Sequence, residues 1–265
     1  MVVCKSPDEL ARMRVANELV ADILAELRRL VAPGVSTADL DEAAERLARA
    51  AGAEPAFKGY RAYPASLWTS INDEVVHGIP SRKRVLREGD IVSIDMGVKA
   101  AGFYGDSAIT VGVGRIGDRA SELPRVTHEA LWKGIAQARV GGRVSDIGHA
   151  VQAHVEAHGF SVVREFVGHG IGAALHEEPQ VPNYGDRGRG PRLAEGMTLA
   201  IEPMVNVGRP AVKVLEDEWT AITRDGSLSA HFEHTVAVTV AGPLVLTLPR
   251  EEREAGQTAV AARRS

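Results

Sequence analysis

Residues 91–95 read Ile-Val-Ser-Ile-Asp, an alternation of period two that sets Ser93 and Asp95 on one face and Val92 and Ile94 on the other. That is the pattern of a half-buried strand. Two further segments repeat it. Between Asp106 and Val113, Asp106, Ala108 and Thr110 oppose Ile109, Val111 and Val113, and between Phe232 and Val240, Glu233, Thr235 and Ala237 oppose Val236, Val238 and Val240. In each of these strands a carboxylate shares its face with small residues.

A pair of helices precedes each group of strands. Ser6-Pro7-Asp8-Glu9 combines a Ser N-cap, Pro in the first turn and Glu three residues on, and predicts a helix running to Leu30. Pro33-Gly34 breaks it. Ser36 then caps a second helix with Asp39 in the box position, Leu40, Ala43, Ala44 and Leu47 as its apolar stripe and Gly52 at its end. The same grammar predicts a helix over about Val126 to Arg139, a break at Gly141-Gly142, and another helix capped by Ser145, with Ile147, Ala150, Val151 and Val155 as its stripe and Gly159 at its end. The step from Leu40 to Gly52 and from Ile147 to Gly159 is 12 residues in both cases, which points to two related halves. The order helix, helix, strands, repeated, argues an α+β fold whose helices cover one side of a largely antiparallel sheet. Gly112-Val113-Gly114-Arg115-Ile116-Gly117 spells a dinucleotide-binding fingerprint. Its context argues against a nucleotide, since the next helix is expected only near Pro124 and no parallel strand follows. Tyr184 to Leu193 reads as an exposed loop. Residues 1–250 are expected to form one domain, with 251–265 a polar, solvated tail.

The chain has 265 residues, 45% hydrophobic and 25% charged, which excludes disorder, collagen and coiled coil. Lys and Arg number 31 against 35 Asp and Glu, a net charge of −4 that provides no broad positive field for nucleic acid or acidic lipid. The one cysteine, Cys4, can make neither an internal disulfide nor a thiolate metal site, and points to a reducing compartment. The first ten residues lack a signal-peptide pattern, and no apolar run reaches the ~18 residues of a membrane span. A cytoplasmic protein is expected. It should be a monomer, because no extended apolar strip remains once the helices are assigned.

Five polar residues fall where a polar residue is expensive. Asp95 ends a hydrophobic strand, Asp106 begins one, His169 lies between Gly168 and Gly170, Glu202 closes Met197-Thr198-Leu199-Ala200-Ile201, and Glu233 begins the last long strand. Each alone could face water. Together they suggest a buried set, and few cationic side chains lie beside them in sequence, whereas two divalent cations would balance four carboxylates. Four carboxylates and one imidazole suit Mn, Fe, Co or Zn in an open hydrolytic site. His154 and His158 have the i, i+4 spacing of a helical metal pair, but no third ligand is evident, so a solvated helix face is expected.

Tyr60-x-x-Tyr63-Pro64-x-Ser66, Ser70-Ile71-Asn72-Asp73-Glu74-Val75-Val76-His77-Gly78-Ile79-Pro80, Gly168-His169-Gly170-Ile171-Gly172, Leu175-His176-Glu177-Glu178-Pro179, Ile201-Glu202-Pro203-Met204 and Phe232-Glu233-His234-Thr235 together resemble the motifs of type I methionine aminopeptidases. The resemblance runs from about Ser6 to Leu248 and implies the pita-bread α+β fold with two pseudo-symmetric halves. It implies that Asp95, Asp106, His169, Glu202 and Glu233 hold two divalent ions (Co, Mn, Fe or Zn), with Asp106 and Glu233 bridging. It makes His77 and His176 substrate-contacting histidines and Glu202 the proton shuttle, with a metal-bridging hydroxide attacking the first peptide carbonyl. The implied activity is removal of the initiator methionine from nascent polypeptides, near the ribosome, when the second residue is small. Tyr60, Tyr63 and Trp219 match the family's methionine pocket. Phe57 and Trp68 stand where the family usually has Cys, and Leu175 where it has Phe, so a reshaped pocket is expected. An X-Pro peptidase of the same fold and a catalytically dead peptide- or ribosome-binding scaffold are the alternatives; the second would be expected to have lost ligands, and all five are present.

Overall fold

Ser6 starts the first helix. Its hydroxyl accepts the Glu9 amide, and the Glu9 carboxylate takes the Ser6 amide at 2.8 Å, so two donors with no helical partner are satisfied. This helix, α1 (Pro7–Leu30), is followed by α2 (Thr37–Ala50) behind a second box between Ser36 and Asp39. The structure, a computed structural model, describes residues 2–254.

The second pair is α3 (Asp118–Ile135) and α4 (Val144–Ala157), and its boundaries correct the sequence reading. α3 begins at Asp118, well before Val126, and carries Pro124 inside it. The proline removes one backbone hydrogen bond, but the added turn buries Ala120 and Leu123 against Ile91 and Val126, which offsets the loss. It ends at Ile135 rather than Arg139, where the Gln137 and Ala138 amides turn back to the Gly134 and Ile135 carbonyls. α4 is capped at Arg143, whose amide is taken by Asp146 at 2.8 Å, not at Ser145. The Ser145 hydroxyl instead accepts the Arg189 amide at 2.7 Å, and Asp146 accepts that of Gly188 at 2.8 Å. The loop from Tyr184 to Leu193 is thus tied to the start of α4; residues 186–192 are exposed, while Leu193 is buried in the core.

The helices back a nine-stranded sheet in which every pairing is antiparallel. Its centre is the hairpin of Ile91–Ala100 and Phe103–Gly112, followed outward by Glu233–Thr239, Thr198–Ile201, Gly168–Gly170 and Glu177–Val181. Val92, Ile94, Met96 and Val98 pack with Ala16, Val20 and Leu24 of α1 and with Leu40 and Ala44 of α2. Leu199, Ile201, Val236 and Val238 pack with Leu131 and Ile135 of α3 and with Ile147 of α4. Each half of the sheet therefore has its own helix pair on one common face, and the alternating carboxylates point to the other. Val240, counted in the apolar row by alternation, lies past the strand end and is 78% exposed. Among the described residues no helix is long and apolar enough to cross a membrane.

α1 touches the sheet most closely at Gly105, where an added Cβ would lie 2.7 Å from the Ala16 carbonyl carbon and 2.7 Å from the Asn17 nitrogen. Backbone cannot rotate away as a flexible side chain can. Gly105→Ala is expected to lower the thermal midpoint by roughly 3–10 °C, since overpacking of this kind costs about 1–3 kcal/mol. An unchanged midpoint in a melting curve would show that α1 slides without loss.

Candidate metal centre

Cross-strand register assembles the site. Asp95 lies opposite Ala108, and Ala108 lies opposite Glu233, so the two carboxylates flank a methyl group in one row across three strands. Asp106, two residues before Ala108, shares its face. Glu202 follows Ile201, the partner of His234, and emerges beside Glu233. His169 sits opposite Ala200 on the next strand.

Glycines give His169 its place. An added Cβ on Gly168 would lie 2.3 Å from the Ala200 oxygen, and one on Gly170 would lie 2.3 Å from the Glu178 oxygen, so only glycine lets this short strand fit between its neighbours. The His169 Nδ1–H donates to the Gly170 carbonyl at 2.9 Å, which leaves Nε2 free to accept and 3.5 Å from Glu202 Oε1. The donor atoms of Asp106, His169 and Glu233 lie within 4.8 Å of one another, as do those of Asp95, His231 and Glu233.

Burial, followed by the charges of Asp106 and Glu202, pushes the Asp95 carboxyl well above its usual range. Burial does the same to Asp106, Glu202 and Glu233, with carboxylate repulsion adding at the last two. Among the described residues no lysine or arginine pairs with any of the four; their ion-pair contacts are with histidine. Asp95 Oδ1, Asp106 Oδ1 and Glu233 Oε1 are buried without a hydrogen-bond partner. Orphaned buried oxygens on a carboxylate and imidazole set are what divalent cations would satisfy, so the residues fit such ions.

Two more histidines face the same space. His77 ends a turn held by Arg84, whose guanidinium pairs with Glu74 and donates to the Ile79 oxygen at 2.6 Å and the Thr69 oxygen at 3.1 Å. The His77 backbone is left-handed, with φ 64°, a strained conformation for a residue with a side chain. Gly78 follows because a Cβ there would meet the Thr69 oxygen at 2.1 Å. His176 bonds the Tyr60 hydroxyl through Nδ1 at 3.0 Å, and the adjacent Glu177 pairs with buried Lys5. Burial lowers the His77 pKa to about 4 and that of His169 to about 3, and it lowers His176 too, with Arg61 adding to the effect. All three are neutral near pH 7.

The five predicted donors share a cavity of about 120 Å³ with His77, His176 and Trp68. The other pocket residues named from sequence stand behind or beside its wall. Phe57 is fully buried and stacks on Trp68 with ring centroids 3.8 Å apart and planes 9° from parallel. Phe57 has that room because an added Cβ on Gly97 would lie 2.9 Å from its ring, and Gly97 is the register partner of Asp106. Tyr63 meets Trp68 and Trp219 edge-on and bonds the Leu67 oxygen at 2.8 Å, while Tyr60 and Leu175 complete the cluster. Sequence reasoning missed His231, Phe166 and Met204, which also line the cavity. The signal for His231 was its position two residues before Glu233. The reading of His154 and His158 as lacking a third ligand is also corrected: Glu129 on α3 lies 3.1 Å from His154 and completes the group. Packing between helices, invisible to spacing, brings it there.

A curled antiparallel sheet backed by two helix pairs, with a buried carboxylate and imidazole set on its open face, is the pita-bread architecture of a metal-dependent hydrolase. The chain belongs to metallopeptidase family M24, whose model matches residues 11–240. It is 53% identical to methionine aminopeptidase 1 of Bacillus subtilis, over 93% of this chain and 99% of that one. It is 51% identical to the methionine aminopeptidase of Clostridium acetobutylicum, over 94% and 99%. The crystal structure of methionine aminopeptidase from Thermotoga maritima superposes with a TM-score of 0.92 at 47% identity, covering 94% of this chain and all (100%) of that one. The prolidase of Pyrococcus horikoshii shares the fold alone, with a TM-score of 0.75 at 24% identity.

Because burial raises all four carboxyl pKa values, with repulsion adding at Asp95, Glu202 and Glu233, cations entering the cluster must displace protons. Affinity is therefore expected to fall as pH is lowered. Calorimetric titrations in buffers of different ionisation heat should read proton release; a heat independent of buffer would contradict it. Asp106→Asn should abolish the cation-induced rise in thermal midpoint. In chelator the variant should melt at or above the parent's temperature, because a repelling charge has been removed.

Proposed function

We propose that this chain hydrolyses the N-terminal methionine from polypeptides whose second residue is small, acting as a cytoplasmic monomer on nascent chains near the ribosome. Residues 1–250 form its single catalytic domain in this reading; Arg250 to Glu254 form a helical turn, and 255–265 of the expected tail lie outside the described residues. The observation that carries the reading is the enclosure of the donor set. About 120 Å³ is small beside the ~300 Å³ at which ordinary ligand pockets begin, and suits one terminal side chain rather than a continuing peptide. Similarity to the Bacillus, Clostridium and Thermotoga enzymes supports methionine as that residue.

Asp95, Asp106, His169, Glu202 and Glu233 would hold two divalent ions, Co, Mn, Fe or Zn, with Asp106 and Glu233 shared. Such ions supply Lewis acidity toward the scissile carbonyl and lower the pKa of water. Glu202, a carboxylate on the cavity wall beside His169, is placed to accept a proton and pass it to the leaving amine. His77 and His176 are neutral and donate N–H bonds to the substrate carbonyl without adding charge to the pocket. Tyr60 sets the His176 ring. Trp68, stiffened by Phe57, is an apolar wall for the thioether and excludes water.

The test uses metal-stripped protein on Met-Ala-Ser and on an X-Pro peptide, with Mn, Fe, Co and Zn restored one at a time. Turnover of Met-Ala-Ser should return with at least one ion and the X-Pro peptide should stay intact. Turnover without metal, or none with any ion, defeats the proposal. The Phe57–Trp68 stack makes a second expectation. Trp68→Cys opens the wall and should change the preference among Met, norleucine, Leu and Ala substrates by roughly tenfold, the scale of one or two methylenes in an apolar pocket. Identical kcat/KM ratios in both proteins would remove that role for Trp68.

A further inference from the structure

His231 stands inside the donor set without belonging to it. Its side chain is 2% exposed, with Nδ1 3.9 Å from Asp95 Oδ2 and Nε2 3.9 Å from Glu202 Oε2. Both separations are too long for a hydrogen bond, and Nε2 has no partner at all. Its backbone is fixed: Thr110 Oγ1 accepts the His231 amide at 2.9 Å and donates to its carbonyl at 2.7 Å, and Met204 pairs with it in register. A buried imidazole on a fixed backbone, with an unpartnered nitrogen among carboxylates, calls for something between them.

We propose that His231 is a sixth protein donor, giving a nitrogen ligand to the divalent ion held by Asp95 and Glu233. The donor atoms of Asp95, His231 and Glu233 lie within 4.8 Å of one another, and small side-chain rotations bring them onto one ion at the ~2.0–2.2 Å of ordinary coordination. His231 then stands to Asp95 and Glu233 as His169 stands to Asp106 and Glu233. Each of the two ions has one imidazole. Without His231 the ion at Asp95 would see only protein oxygen, which suits Mn; with it, the site favours Co, Zn or Fe. The inference rests on the two-ion reading above, and goes further by assigning a residue and a selectivity.

The experiment titrates chelator-treated full-length protein with Co(II), and separately with Mn(II), following heat and visible absorption. The parent should bind two Co(II) ions. In His231→Gln, which keeps size and polarity, Co(II) affinity at one of them should fall about 10-fold to 100-fold, the visible bands should shift, and Mn(II) binding should change far less. Unchanged Co(II) stoichiometry, affinity and spectrum in the variant would overturn the role of His231 alone. A parent that binds no divalent ion would overturn the two-ion reading as well. Should the variant not fold, X-ray absorption on the parent loaded with two Co(II) ions decides: an average of one imidazole per ion supports the assignment, and one-half refutes it.

Discussion

Four carboxylates in one buried cavity repel each other, and the rest of the fold holds them there. No lysine or arginine among the described residues relieves that repulsion. What resists it is the antiparallel ladder, which fixes Asp95, Ala108 and Glu233 in one row, and hydrogen bonds within the sheet. Ser107 donates to the Glu233 carbonyl at 2.6 Å and Thr235 to that of Asp106 at 2.8 Å, so the strands bearing these two carboxylates are tied together. The helix pairs contribute burial on the opposite face, where a fully buried Leu or Val side chain is worth about 1.5–3 kcal/mol. Stability is placed on one side of the sheet and electrostatic stress on the other.

The parts legible in the sequence were those whose physics is local. Ser6 with Glu9 and Ser36 with Asp39 satisfy helix donors within one turn, so their helices start where the residues say. Period two placed Asp95, Asp106 and Glu233 on the face away from the apolar rows, and a charge beside a hydrophobic strand is visible without a structure. The parts that were not legible depend on distant partners. α3 reaches back through Pro124 because Ala120 and Leu123 find a core formed by other segments. Ser145 loses the capping role because a loop more than 40 residues away claims its hydroxyl. Glu129 meets His154 only across two packed helices. His231 was hidden because it ends a separate short strand, Ser229–His231, which reaches the site only by pairing with Met204–Asn206.

The cavity walls are built from segments far apart in the chain, and an ion pair supports each. Arg84 grips Glu74 and fixes the turn before His77, while Lys5, ahead of α1, reaches Glu177 beside His176. The two neutral imidazoles are therefore positioned from the N-terminal segment and from the segment between Glu74 and Arg84.

Gly97 connects that wall to the donor set. It faces Asp106 across the hairpin, and the space its missing side chain leaves is filled by the ring of Phe57, which in turn carries Trp68. Positions 57, 68 and 97 therefore pack as one unit. A side chain at 97 would need room from Phe57 and from Ala56, whose Cβ would lie 3.0 Å from it. The stiffness of the pocket wall is thus set in part by a glycine on the hairpin, one layer behind the Trp68 ring.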